Sequence, residues 1–371
     1  MDTVTQGLLG AVTAQLGFRE RIGRDASWVA AATAVVPDLD IFVKPLLQFM
    51  GVNVNGLNMM HIHRGLSHSL LMTPVIAAAA AGLWWLARRR ALRNANASGR
   101  SDAETHSQPS GARRRPTFGL LYACCFVAAL SHPILDWCTS YGTQILSPIT
   151  KTRYAIDAIP IVDIFYTPAL ILTLLACRLV RWFKGGSCRA AIIVGIAGFT
   201  LSCGYIAAGL TIGLRLRAAT EKTLNLNHTR AYPMLGTIFL WRITAVDDDA
   251  WYVARHNVLF SSPLDKDRFV RIDKVDNEWV RRAARLEEVK TFKWFAMGQV
   301  RAAYRRRDGL HFIEFHDMRY GSTPGGGDSM WPMLVTFDET GQVLNISHRS
   351  SHRRADRGEL IRRIWRDTWN P

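Results

Sequence analysis

Apolar residues run in long unbroken stretches through the first part of the chain and thin into short alternating ones after about residue 214. Four stretches, 69–87, 118–135, 161–180 and 190–214, come close to or reach the ~20 residues a helix needs to cross a bilayer. Two shorter ones, 4–18 and 27–36, precede them. Each is short for a full crossing, and Gly7, Gly10 and Gly17 in the first allow close approach of a neighbouring helix. No basic segment precedes it, as a signal peptide would require. Trp84, Trp85 and Trp182 lie near the ends of apolar stretches, as interfacial anchors do. The pattern predicts a mainly α, polytopic helical membrane bundle of four to six apolar helices.

Beyond residue 214 the periodicity changes. Residues 236–246 and 251–260 are β-rich runs separated by Asp247-Asp248-Asp249. Residues 278–297 have helical character, and 310–318 alternate like a half-buried strand. Residues 332–337 and 343–348 flank Glu339-Thr340-Gly341 as a hairpin would, and 358–369 predict a terminal helix. The expected organisation is a membrane-embedded domain over 1–214 and a soluble α+β domain over 215–371.

Charge separates the two parts further. The 371 residues are 49% hydrophobic with only six cysteines, which excludes collagen-like, disordered and small disulfide-rich classes, and the net charge of +16 suggests nucleic acid, anionic lipid or acidic substrates. Residues 1–214 hold 19 basic and 10 acidic side chains, while 215–371 hold 27 and 20 with both signs interspersed. Twelve of the 19 basic residues fall in two connections, 88–115 and 178–189. By the positive-inside rule both face the cytoplasm, which places the connection before 69, the connection 136–160 and the C-terminal domain on the outer side. The basic stretch at about 88–116 is rich in Ser, Gly, Asn and Ala and is expected to be disordered. The mixed charge of the tail reads as a solvated surface, which argues against direct nucleic-acid binding. All six cysteines lie between Cys124 and Cys203 without CxxC spacing, so neither a thiolate zinc site nor a disulfide framework is indicated.

The chemistry concentrates where polar residues interrupt the apolar runs. Acids beside membrane segments are costly and are functional candidates by default. Asp38 and Asp40 lie in Pro37-Asp38-Leu39-Asp40, a turn in which both carboxylates can reach one centre, or one can bind while the other orients a histidine. An ordinary helix-end acid accounts for that string equally well. In His63-Arg64-Gly65-Leu66-Ser67-His68 the two histidines converge if the first lies in a loop and the second in the first turn of a helix. The bland alternative is a polar cap at Ser67. His132 and Asp136, at i and i+4, share a helix face around Pro133. Asp163 opens the third long run and adds a carboxylate; Asp157 and His61 are weaker candidates. Clusters of His and Asp suit a divalent metal, most naturally zinc. The expected ligands are His63, His68, His132, Asp136 and Asp38. Asp40 or Asp163 would serve as general base, and Arg64 would hold developing negative charge.

The string Met1 to Gly10 (MDTVTQGLLG), PDLD at 37–40, HRGLSH at 63–68, SHPILDWCTSYGTQ at 131–144 and VDIFYT at 162–167 resemble the YdjM-like family. The run TIFLWRITAVDDDAWYV at 237–253 is similar to longer members. Gln6 stands where many members carry His, and Ile164 where longer ones have Pro. The resemblance implies a bacterial inner-membrane protein described as a metal-dependent hydrolase, and a LexA-like repressor as partner. The residues themselves lead to a membrane-bound metal-dependent hydrolase of an ester or phosphoester, lipid-linked if location governs the substrate. The competing expectation is a non-catalytic membrane regulator or scaffold whose metal site is structural or sensing. A metal transporter fits less well, because the acids cluster at one face.

Overall fold

A computed structural model describes residues 1–52, 59–97, 116–184, 189–321 and 326–348, together with 362, 366 and 369. Most of the basic connection 88–116 and of the expected terminal helix 358–369 lies outside the described residues, as does Cys188. The helices of the N-terminal part are α1 (Thr3–Ala14), α2 (Phe18–Ile22), α3 (Asp25–Val35), α4 (Val43–Phe49), α5 (Met59–Ile62), α6 (Thr73–Ala97), α7 (Phe118–Trp137), α8 (Tyr166–Phe183) and α9 (Arg189–Leu224). Short 3-10 turns cover Val36–Phe42 and Leu66–His68.

Four of these segments are long and apolar enough to cross a membrane: Asp25–Phe49, Phe118–Trp137, Tyr166–Phe183 and Arg189–Leu224. Met59–His68 with Thr73–Ala91 qualifies only as a pair, bent by 72°. Sequence periodicity had placed a continuous helix over 69–87. The helix instead begins at Thr73, after a turn in which Ser69 Oγ accepts from the Met72 amide at 3.2 Å. The stretch judged too short, 27–36, extends through its 3-10 turn into α4 and reaches spanning length.

The chain divides into two compact units. The first holds 1–136, 143–152 and 166–204. In it α1 lies along α3, and the contact depends on small residues. A Cβ on Gly10 would sit 2.5 Å from the Ala34 Cβ and 2.7 Å from the Ala30 carbonyl, so the two backbones touch where any larger side chain would part them. Gly7 also faces α3, at Val35. Gly17 does something else: at φ 112° it turns the chain between α1 and α2 and meets no neighbour. Ala14, Ala26, Ala30, Ala34, Ala77, Ala81, Leu121, Cys124, Cys125 and Ala128 make the apolar core of this unit. The paired cysteines there are buried and free, as small hydrophobes.

The second unit holds 137–142, 153–165 and everything from Tyr205. One antiparallel sheet has the order β1 (Thr229–Pro233), β2 (Leu240–Val246), β3 (Ala250–Asn257), β4 (Val270–Asp273). The helical stretch expected over 278–297 is split into α10 (Glu278–Ala283) and α11 (Glu287–Phe295). The second sheet has the order β5 (Val300–Arg307), β6 (Leu310–Asp317), β7 (Met333–Phe337), β8 (Val343–His348), also antiparallel. Trp241, Ile243, Ala254 and Phe269 pack with Leu216 of α9, so the helix that begins as an apolar span ends as part of the soluble core. A fully buried ion pair, Arg319 Nη2 to Asp317 Oδ2 at 2.7 Å, anchors the second unit. Arg319 Nη1 also donates to the carbonyls of Ser140 and Tyr141 at 3.0 Å each, which holds the connection after α7 in place.

Candidate metal centre

The polar residues of the first unit meet where helices break. Asp38 and Asp40 lie in the 3-10 turn between α3 and α4, a turn that starts with Pro37 near its N-terminus. His68 closes the 3-10 turn at the bend before α6. His132 and Asp136 flank Pro133 on one face of α7. Breaks in apolar helices expose backbone groups and free side chains from the helical register, so they are where a polar site can be built at depth.

Local hydrogen bonds fix the HRGLSH segment. Arg64 takes a left-handed φ of 59°, and a Cβ on Gly65, which follows it, would sit 2.8 Å from the carbonyl oxygens of both His61 and Ile62. No side chain fits there. The Gln144 amide donates to the Arg64 carbonyl at 3.0 Å and the Leu70 amide to the Ile145 carbonyl at 3.0 Å. Gln144 Nε2 donates to the His61 carbonyl at 3.1 Å. The YGTQ end of the 131–144 motif is thus a clamp on the segment that carries His63 and His68.

Four atoms from three elements converge. Asp38 Oδ1 lies 3.3 Å from His68 Nε2 and 3.5 Å from His132 Nε2. Asp136 Oδ2 lies 3.5 Å from His68 Nε2 and 3.7 Å from His132 Nε2. An ion bound tetrahedrally at 2.0–2.1 Å keeps its ligand atoms about 3.3–3.4 Å apart, and these four nitrogen–oxygen separations, 3.3–3.7 Å, are that or somewhat longer. His132 Nε2 is buried and makes no hydrogen bond among the described residues. An orphaned, buried imidazole nitrogen between two carboxylates is a position a cation would satisfy. Ligand atoms from His68, His132 and Asp136 fall within 4.8 Å of one another, as do those from Asp38, His63 and His68. These groups could hold a metal ion.

The second layer sets the tautomers. His63 Nδ1 pairs with Asp40 Oδ1 at 2.8 Å. His68 Nδ1 lies 3.3 Å from Asp40 Oδ2 and 3.0 Å from Ser67 Oγ. His132 Nδ1 lies 2.5 Å from the Ala34 carbonyl, which only a donor can approach so closely. In His68 and His132 the inner nitrogen is thereby occupied and Nε2 is left for the centre. Asp136 is held in turn by Arg64 Nε at 3.0 Å, by Gln6 Nε2 at 2.9 Å and by the Met1 amino group. Thr3 Oγ1 donates to Asp38 Oδ2 at 2.6 Å.

The residues expected from sequence are distributed unevenly. Asp38, Asp40, His63, Arg64, His68, His132 and Asp136 come together. Asp40 is not a free carboxylate: its oxygens also take the Ser67 hydroxyl at 2.8 Å and the Arg64 amide at 3.3 Å. Arg64 is buried against Asp136. Asp163, in the other unit, accepts from the Phe165 amide and the Tyr205 hydroxyl, each at 2.8 Å. Asp157 is also in that unit, and burial pushes its carboxyl above the usual range. His61 contributes its carbonyl to the clamp. Sequence reasoning gave no place at the centre to Met1, Thr3, Gln6 or Ala34, and marked Gln6 only as standing where many members of the resembling family carry His. The first three lie in the MDTVTQ string that carried the resemblance, while a backbone carbonyl leaves no mark in a sequence.

The sequence model of the family described as YdjM inner membrane protein matches residues 1–211, which include every residue of this centre. The chain belongs to that family and is a multi-pass inner-membrane protein. No curated protein matches it. No solved structure matches it.

Asp40 is expected to act on the centre through the histidines it orients. Asp40→Asn keeps the shape and removes the charge, so affinity for a divalent metal, measured by chelator competition, should fall by about 10- to 100-fold. An unchanged affinity would show that Asp40 does not support the ligands.

Proposed function

We propose that this member of the YdjM inner membrane protein family is a membrane-bound, zinc-dependent hydrolase of an ester or phosphoester. The observation that carries this is the convergence of His68, His132 and Asp136, whose ligand atoms lie within 4.8 Å of one another, with Asp38 Oδ1 at 3.3 and 3.5 Å from the two imidazoles. We assign His68, His132 and Asp136 as the ligands, a two-histidine, one-carboxylate set that suits zinc and leaves a position open. A divalent ion held there supplies Lewis-acid polarisation and acidifies water near neutral pH.

The chain's own residues have separate tasks. Asp38, whose Oδ1 faces both imidazoles while Thr3 holds Oδ2, takes the proton from the attacking water. Arg64 supports Asp136 and brings positive charge to the place where an anionic transition state forms. Asp40 orients His63 and His68.

Asp38 Oδ1, 3.3 Å from His68 Nε2 and 3.5 Å from His132 Nε2, is also placed as a fourth ligand would be, which favours a second reading: a structural or sensing site without catalysis. Asp38 tells the two apart. In the hydrolase, Asp38→Asn should retain about one zinc per chain and lose roughly 10²–10⁴ in turnover of a model ester or phosphoester, while His132→Ala should lose the metal. Equal loss of zinc in both variants, with no hydrolysis by the wild type, supports the closed site and rejects the enzyme.

We also propose that the centre and the C-terminal domain face the periplasm, on the strength of the twelve basic residues in the two connections 88–115 and 178–189. A reporter active only in the periplasm should work when fused after Pro371 and be silent when inserted near Ser98. The opposite pattern would turn the topology over.

A further inference from the structure

The surroundings of the centre alternate between two chemistries. Along 38–42 the acids point inward while Leu39, Ile41 and Phe42 are exposed. Along 64–71 Arg64, His68 and Ser69 are buried while Leu66, Leu70 and Leu71 are exposed. These six apolar side chains retain between 39% and 58% of their accessible surface, and each lies within three residues of a member of the centre. The clamp that ties Leu70 to Ile145 also brings in the 145–149 turn, where Leu146 and Ile149 are exposed.

His68, His132 and Asp136 have no exposed side-chain surface, whereas His63 is 24% exposed. An approach to the ligands past His63 would run between the 38–42 segment, with which His63 pairs through Asp40, and the 64–71 segment that follows it, with their exposed apolar side chains as its walls. α4, which continues from the first wall, has no buried residue and presents Leu46 and Phe49 as well. An apolar surface of this kind around a polar site is not stable against water. Asp25–Phe49, which carries the first wall, is itself of membrane-spanning length and composition, so bilayer lipid is what covers it.

We propose that the centre opens sideways into the bilayer and that its substrate is an amphiphile, a phospholipid-like ester whose acyl chain lies along Leu39, Ile41, Phe42, Leu66, Leu70 and Leu71 while its headgroup linkage reaches His63 and the ligands. This names the substrate class for the hydrolase reading and rests on it for the chemistry, though the lipid contact stands on exposure alone. A long-chain ester partitions into the bilayer and is concentrated beside these residues, so it has an advantage of about tenfold or more over a short soluble one.

The test uses the full chain in phosphatidylcholine–phosphatidylglycerol vesicles containing a phosphatidylglycerol with a photoreactive group on its acyl chain. Crosslinks mapped by mass spectrometry should fall on 39–42 and 66–71, and should drop at least fivefold in Phe42→Asp and Leu71→Asp proteins that still bind about one zinc. Crosslinks confined to exposed faces of α8 and α9, such as Leu172 and Leu201, would overturn the proposal. A parallel assay compares wild-type turnover of a long-chain vesicle ester with a soluble short-chain one. Equal turnover of both without crosslinks at 39–42 or 66–71 refutes lipid access while leaving the hydrolase intact. Crosslinks there without any hydrolysis support lipid access and refute the hydrolase reading.

Discussion

Four polar atoms placed inside an apolar bundle have to be compensated, and the rest of the first unit is arranged around that requirement. Each of two imidazole nitrogens lies 3.3–3.7 Å from each of two carboxylate oxygens across the centre, with His132 Nε2 left without a hydrogen bond among the described residues. Burying such groups unpaired costs several kcal/mol, and far more when they are charged. Arg64, Gln6 and the Met1 amino group compensate Asp136 from one side, and Thr3 compensates Asp38 from another. A cation in the middle answers what remains.

This requirement explains features of the fold that helix propensity alone does not. Asp38 and His68 come from the 3-10 turn after α3 and from the bend before α6, while His132 and Asp136 share one face near the end of the continuous helix α7. The close α1–α3 contact at Gly10 then has a clear role: it brings the Ala34 end of α3, whose carbonyl fixes the His132 tautomer, beside the N-terminal turn that holds Asp38 and Asp136. A larger residue at position 10 would separate the two helices that supply the outer layer of the site.

Much of this was legible in the sequence. Long apolar runs mark membrane helices because lipid demands continuity, and α7, α8 and α9 follow from them. Paired β-rich runs around Asp247-Asp248-Asp249 and around Glu339-Thr340-Gly341 mark β2–β3 and β7–β8, because the turn residues are explicit. Less was legible where local pattern and tertiary context disagree. β5, with three arginines in its last three positions, reads as a solvated segment until β6 pairs with it. Arg215, Arg217 and Lys222 disguise the last turns of α9 as the start of the tail. At the centre the histidines and acids announced themselves by spacing. The division of labour between Asp38 and Asp40 did not, because it depends on whether a carboxylate meets the Nε2 or the Nδ1 side of an imidazole, and two acids at i and i+2 look alike in a sequence.

The central claim, that the cluster is a metal centre made by histidine and carboxylate, is tested most directly by X-ray absorption at the zinc edge on protein purified without chelator. The account predicts bound zinc with a shell of nitrogen and oxygen at about 2.0–2.1 Å and outer-shell scattering from two imidazoles. Protein free of any divalent metal, or a shell containing sulfur at about 2.3 Å, would contradict it.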